Sequence, residues 1–119
     1  MAEQDLDLSL LNEIADGSDE FIVDTITMFL EQTPVLLDEI AAGIAANDWV
    51  TAGAAAHKVK ATLGFFGMLT THGLIQQIEA ECKAGGTATT GSTLAEATAI
   101  VNENLPTLKQ LRDEASAKL

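Results

Sequence analysis

Tyrosine is missing from this sequence, tryptophan and cysteine occur once each and proline twice, and only 6 basic side chains stand against 18 acidic ones. Each scarcity excludes something. With Cys82 alone, no intramolecular disulfide and no cysteine-based zinc pattern can form, and the residue reads as a small buried hydrophobe. No apolar run approaches the length of about 18 residues that crosses a bilayer. A net charge of −12 without any basic stripe argues against nucleic acid and anionic membrane surfaces as partners. The acidic start (Glu3, Asp5, Asp7) has neither a basic nor an apolar leader region, so no signal peptide is visible and a cytoplasmic protein is expected. No Gly-x-x-x-x-Gly-Lys-Ser/Thr segment is present to cradle ATP phosphates.

What remains is rich in helix formers. The 47% hydrophobic content with 4% aromatics fits a core of Leu, Ile, Val and Ala, and strand signals are weak. Leu6, Leu10, Leu11 and Ile14 mark a short cap helix over about 6–16, closed by Asp16-Gly17. Ser18 caps a long second helix, followed by Asp19 and Glu20 where acids complement the helix dipole. Its stripe of Ile22, Ile26, Phe29, Thr33, Leu36, Leu37, Ile40 and Ile44 contains Pro34, which predicts a bend or a fresh start near Gln32. Asp48 should cap a third helix from Trp49 to Phe65 or Phe66, ended by Gly64 and Gly67.

A fourth helix over about 69–83 turns Leu74, Ile75, Ile78 and Cys82 inward and leaves Gln76, Gln77 and Glu81 mostly solvated. The segment 85–92 reads as the longest loop, and Thr93 with Glu96 forms a capping-box pattern for a last helix. That helix carries the stripe Leu94, Ala97, Val101, Leu105, Leu108, Leu111 and Ala115, with a bend expected before Pro106. The expected architecture is all-α: one domain, an antiparallel up-down four-helix bundle over about 19–118, with the short N-terminal helix covering one end.

Charge singles out the third helix. No Asp or Glu occurs from Trp49 to Ile78, although even spreading of the acids would put about four or five there. The only formal charges in that window, Lys58 and Lys60, both lie next to His57. On a helix of about 3.6 residues per turn, Ala52, Ala55, Ala56, Val59, Leu63 and Phe66 form a sector opposite His57, the core face. Around His57 fall Val50, Gly53, Ala54, Lys60, Ala61, Gly64 and Met68, mostly small or apolar, so the imidazole stands above a low, approachable surface. A neutral imidazole beside ammonium groups can accept a transferable anionic group.

The segment Ala55 to Met68 resembles the histidine-containing phosphotransfer (HPt) domains of multistep phosphorelays. The family pattern of His, an apolar residue, Lys, a small residue and a later Gly is met by His57, Val59, Lys60, Ala61 and Gly67, with Ala61 standing where Gly is commoner. Phe29 to Leu37 is similar to the family's Phe-Leu-x-x-Thr-Pro-x-Leu-Leu segment, and Asn47-Asp48-Trp49 to its approach to the histidine helix.

The resemblance implies that His57, through Nε2, accepts phosphate from the aspartyl phosphate of a receiver domain and passes it to another. Lys60 then stabilises the phosphoryl group, and Val50, Gly53, Ala54, Lys58, Ala61, Gly64, Phe65, Gly67 and Met68 form the docking surface. A polar residue from the fourth helix bonds the histidine in this family, and counting twelve residues on from Gly67 reaches Glu79, which reads equally well as a solvated helix-face glutamate. No cofactor is expected beyond the Mg²⁺ that the receiver brings, and a monomer is expected. The alternative is a helical interaction module without phosphotransfer. A metal or haem site through His57 and His72 is the weakest reading, since the two lie 15 residues apart without a ligand pattern.

Overall fold

The structure, a computed structural model, describes residues 5–119; Glu3 of the acidic start lies outside them. Five helices and no strand are found among the described residues: α1 Ser9–Ala15, α2 Asp19–Ala45, α3 Trp49–Phe65, α4 Leu69–Lys83 and α5 Thr90–Ala117. Helix α1 is shorter than its apolar pattern predicts. The Asp7 carboxylate accepts from the Ser9 N–H at 3.0 Å and the Ser9 hydroxyl at 2.6 Å, which fixes the start. Asp16 and Gly17, with φ of +47 and +84, turn the chain away at the other end. Only Leu11 and Ala15 are buried in it, and Leu10 and Ile14 stay exposed.

Ser18 and Asp48 act as the N-caps that the sequence predicts, accepting from the Phe21 and Thr51 N–H groups at 3.1 and 3.2 Å. The fresh start near Gln32 is not found. Both α2 and α5 run unbroken through Pro34 and Pro106. Each proline deletes one backbone hydrogen bond at a cost of about 3 kcal/mol in an isolated helix interior. Phe29, Leu37 and Ile40 around the first, and Val101 and Leu108 around the second, are buried, and packing on both sides of the ring outweighs that local loss.

The α4–α5 connection is tighter than the predicted loop. Thr90 is buried, donates its hydroxyl to Glu81 at 2.7 Å and accepts from the Thr87 N–H at 3.0 Å, so α5 begins at Thr90. The predicted Thr93–Glu96 capping box is therefore absent: Thr93 already lies inside the helix, its hydroxyl on the Thr89 carbonyl.

Helix α2 packs on α3 and α5, α4 packs on the same two, and α1 rests on α2. The core-face prediction for α3 holds: Ala52, Ala55, Ala56, Val59, Leu63 and Phe66 are all buried. The small size of Ala52 lets α2 come close. A Cβ on Gly43 would sit 2.9 Å from that of Ala52, so only glycine fits at this crossing without a shift. Phe29 of α2 meets Phe66 with ring centroids 4.7 Å apart, at the opposite end of the same helix pair. No helix among the described residues is long and apolar enough to cross a membrane.

Candidate functional site

Because the buried sector of α3 is filled by alanines, valine and leucine, the opposite sector must face outward, and His57 sits there with 71% of its side chain exposed. Helix α4 lies alongside: Gly53 faces Cys82, and Gly64 faces His72. Between those two contacts α4 presents Glu79, whose side chain is only 10% exposed. Its two carboxylate oxygens are divided between α3 residues one turn apart. Oε2 lies 2.8 Å from His57 Nδ1, and Oε1 accepts from Lys60 Nζ at 2.7 Å.

The hydrogen bond from Lys60, with a further one from His57, holds the Glu79 carboxyl below the usual glutamate range despite a burial penalty that acts the other way. An ionised carboxylate only accepts, so the proton between Glu79 and the ring belongs to Nδ1. In the neutral imidazole Nε2 then carries the lone pair, on the ring edge away from Glu79. The arrangement orients a nucleophilic nitrogen toward solvent and backs it with an anion. An interior glutamate of this kind costs desolvation, which the two hydrogen bonds offset.

The predicted docking residues fall into separate groups. Val50, Gly53, Ala54 and Lys58 line a groove of about 510 Å³ with His57 and Glu79, floored by Trp49 and Cys82. Lys83 completes that groove and escaped the sequence reading, although it stands one turn after Glu79 on the same helix. Ala61 and Phe65 instead line a smaller groove against α2, with Met28, Gln32 and Leu36. Gly64 lies beside His72, which is half-buried.

One of the predicted docking residues is corrected by the structure. Met68 is fully buried, with 0% exposure. The helical wheel that placed it beside His57 does not apply beyond Phe65, where α3 ends. Gly67, in the left-handed region at φ +65, then swings the chain so that Met68 drops into the core. Gly67 itself is half-buried, and a Cβ there would collide with the Asp7 carbonyl oxygen. Asp7 also donates its N–H to the Phe66 carbonyl at 3.2 Å.

This covering strand of chain does more. Asp5 accepts from the Thr70 and Thr71 N–H groups at 2.9 and 2.8 Å and from the Thr71 hydroxyl at 2.7 Å, capping α4 from 65 residues away. Met68, the local N-cap, makes no side-chain cap. No local pattern announces a cap of this kind. Partial burial pushes the Asp5 carboxyl up, but the Thr71 and Thr70 hydrogen bonds together bring it below the ordinary aspartate value.

Among the described residues no three His, Cys, Asp or Glu side chains converge as a metal site. Burial, reinforced by the negative charges of Glu81 and Glu79, pushes the Cys82 thiol up, which keeps it protonated and unreactive. No curated protein and no solved structure matches the chain. The family model of the Hpt domain matches residues 24–117, well over half of the sequence and all of the site just described, and the chain belongs to that family.

Proposed function

We propose that His57 is the phosphoacceptor of this Hpt domain, taking a phosphoryl group from the aspartyl phosphate of one receiver domain and handing it to another. Hpt domains are phosphocarrier modules of phosphorelays that work with receiver domains. The observation that carries the assignment to His57 is its Nδ1 contact with ionised Glu79 while the ring stands 71% exposed. That contact prepares Nε2, and no other histidine among the described residues has such a partner.

In the transfer, Nε2 attacks phosphorus and the bond to the receiver's aspartate oxygen breaks, its electron pair leaving on that carboxylate. Glu79 orients the ring and balances the positive charge that the imidazole gains. Lys60, 25% exposed and one turn beyond His57, is close enough to share its charge between Glu79 and the incoming phosphoryl oxygens, contributing about 1–3 kcal/mol as a charge-assisted contact. The Mg²⁺ of the reaction belongs to the receiver, and the chain itself brings no cofactor.

The docking surface is the groove of Val50, Gly53, Ala54, Lys58 and Lys83, extended past Ala61 and Gly64 to Phe65. Its supporting fold is an antiparallel up-down four-helix bundle. The pairs Phe29–Phe66 and Gly43–Ala52 between α2 and α3, and Gly53–Cys82 and Gly64–His72 between α3 and α4, run in opposite chain order and support that reading. A cytoplasmic monomer that meets its receivers transiently fits a groove of this size.

The test is incubation with a phosphorylated receiver, scoring protein-bound phosphate that is labile in acid and stable in alkali. We expect such phosphate in the wild type and none in His57→Gln. Phosphate that persists in His57→Gln, or none in the wild type with a receiver that binds it, overturns the assignment and leaves a helical interaction module.

A further inference from the structure

Taking His57 as the phosphoacceptor, we infer that Glu79 keeps the Nδ1 proton on the ring after phosphorylation, so that phospho-His57 persists as a phosphoimidazolium, a fast phosphoryl donor with a short lifetime. The reason lies in which partners can donate. Before transfer, Nδ1–H donates to Glu79 Oε2 across 2.8 Å. When Nε2 takes phosphorus, the ring becomes cationic and would ordinarily shed the Nδ1 proton to water. Here that loss would leave a nitrogen lone pair facing a carboxylate oxygen at hydrogen-bond distance, two acceptors with no proton between them. The Glu79 side chain is only 10% exposed, and a separation of 2.8 Å leaves no room for a water between the two atoms to relieve the conflict. An amide at this position could turn its NH₂ to the bare nitrogen, whereas a carboxylate has nothing to donate.

The proton matters because it decides the leaving group. When water or an aspartate oxygen attacks phosphorus, the N–P bond breaks and its electron pair returns to Nε2. With Nδ1 protonated the ring departs as neutral imidazole. Without that proton it must depart as an imidazolate anion or wait for a proton from solvent, and the rate then falls as the pH rises.

The surrounding charges are Lys58 and Lys60 on α3, Lys83 on α4 and, from α2, Glu31 beside Lys58. The lysines oppose a cationic ring, but Lys60 is bound to the other oxygen of Glu79 at 2.7 Å and leaves Oε2 to the imidazole. Glu79 is the group in hydrogen-bond contact with the ring, and it therefore sets the sign.

The experiment loads the purified wild type and Glu79→Gln with phosphoramidate, a small N-phosphorylating reagent, so that no receiver is involved. Hydrolysis of phospho-His57 is followed by ³¹P NMR across the pH range. In the wild type the fast rate should persist to a higher pH than in Glu79→Gln, and on the alkaline side of neutrality the variant phosphoprotein should last about tenfold longer, the size expected for one charge in contact with a partly exposed ring. In parallel, ¹⁵N-histidine spectra of the phosphorylated wild type should show Nδ1 protonated at a pH where free phosphohistidine in the same buffer has lost that proton.

Coincident rate profiles for the two proteins, or an Nδ1 that titrates like free phosphohistidine, overturn the inference while leaving His57 as the acceptor. Phosphate that settles elsewhere than His57 overturns both. Should Glu79→Gln fold poorly, the ¹⁵N comparison on the wild type alone decides.

Discussion

The outward surfaces of α2 and α5 carry exposed acids, Asp24, Glu31, Asp38 and Glu39 on one and Glu96, Glu103, Asp113 and Glu114 on the other. The outward surface of α3 carries Val50, Ala54, His57, Lys58 and Ala61. Both face water, so solubility alone would give them the same composition. Val50, 85% exposed, shows how far α3 departs from that. A helix apolar on nearly its whole circumference is ordinarily buried, and one left open is a contact face. Its own side chains bring no carboxylate to repel a phosphorylated partner or to lose hydration when it docks, and Glu79 of α4 is already bound to His57 and Lys60. The acidic remainder keeps the molecule soluble and turns partners toward the one face that lacks acids.

How far that face extends along the chain is decided at Gly67. If the open surface continued past the end of α3, Gly67→Ala would be harmless. Its φ of +65 and the Asp7 carbonyl over its Cα predict the opposite, a loss of about 2–4 kcal/mol in urea unfolding from backbone strain and overpacking together. Gly64→Ala, whose new methyl would meet only the His72 ring edge at 3.6 Å, should change stability by less than about 0.5 kcal/mol. Equal effects at the two glycines would erase the boundary.

Within the face, charge is the sharper probe. Ala54 on α3 and Ala99 on α5 are both exposed helical alanines. Ala54→Glu should slow phosphotransfer from a receiver about tenfold, because the new carboxylate is desolvated on docking and repels the partner's acidic pocket. Ala99→Glu adds the same charge and should leave the rate within about twofold. Melting temperatures of both variants should stay near that of the wild type, and a similar slowing in both would mean that net charge, not the local surface, governs association.

The sequence makes α3 legible because a small-residue helix shows its buried sector in simple spacing, and every residue assigned to that sector is buried. The same spacing misplaced Met68, since a wheel has no knowledge of where its helix stops. Glu79 was reachable only through the family resemblance: its position 22 residues after His57 depends on how α4 lies against α3, which no periodicity encodes. Its second bond, to Lys60, was invisible for the same reason. The fresh start read near Gln32 misled in the other direction, as local propensity yielded to burial on both sides of Pro34. The threonines before α5 read as loop because their hydrogen bonds to one another and to Glu81 form only once α4 is in place.

Asp5 tests the comparison from its edge, for it is an acid next to the acid-free segment whose charge is already engaged by the first turn of α4. Asp5→Ala removes three hydrogen bonds to that turn and should cost about 1 kcal/mol at neutral pH. The pH dependence has a definite sign. Asp5 titrates lower in the folded protein than its ordinary value of 3.8, so between the two values the unfolded chain binds more protons and acid favours unfolding. The wild type's advantage over Asp5→Ala is therefore full above the ordinary value and shrinks as the pH falls through the folded one. Other carboxylates held low, Asp48, Glu79 and Glu81 among them, destabilise both proteins alike in acid and cancel in the difference. Asp5→Asn keeps a capping oxygen without a titrating charge, so its advantage over Asp5→Ala should be smaller and nearly flat with pH. Urea midpoints of the three proteins at neutral pH and about one unit below the ordinary aspartate value measure this directly. A wild-type advantage that does not shrink in acid would mean that Asp5 acts by filling space over the α3–α4 turn and not as the charged cap of α4.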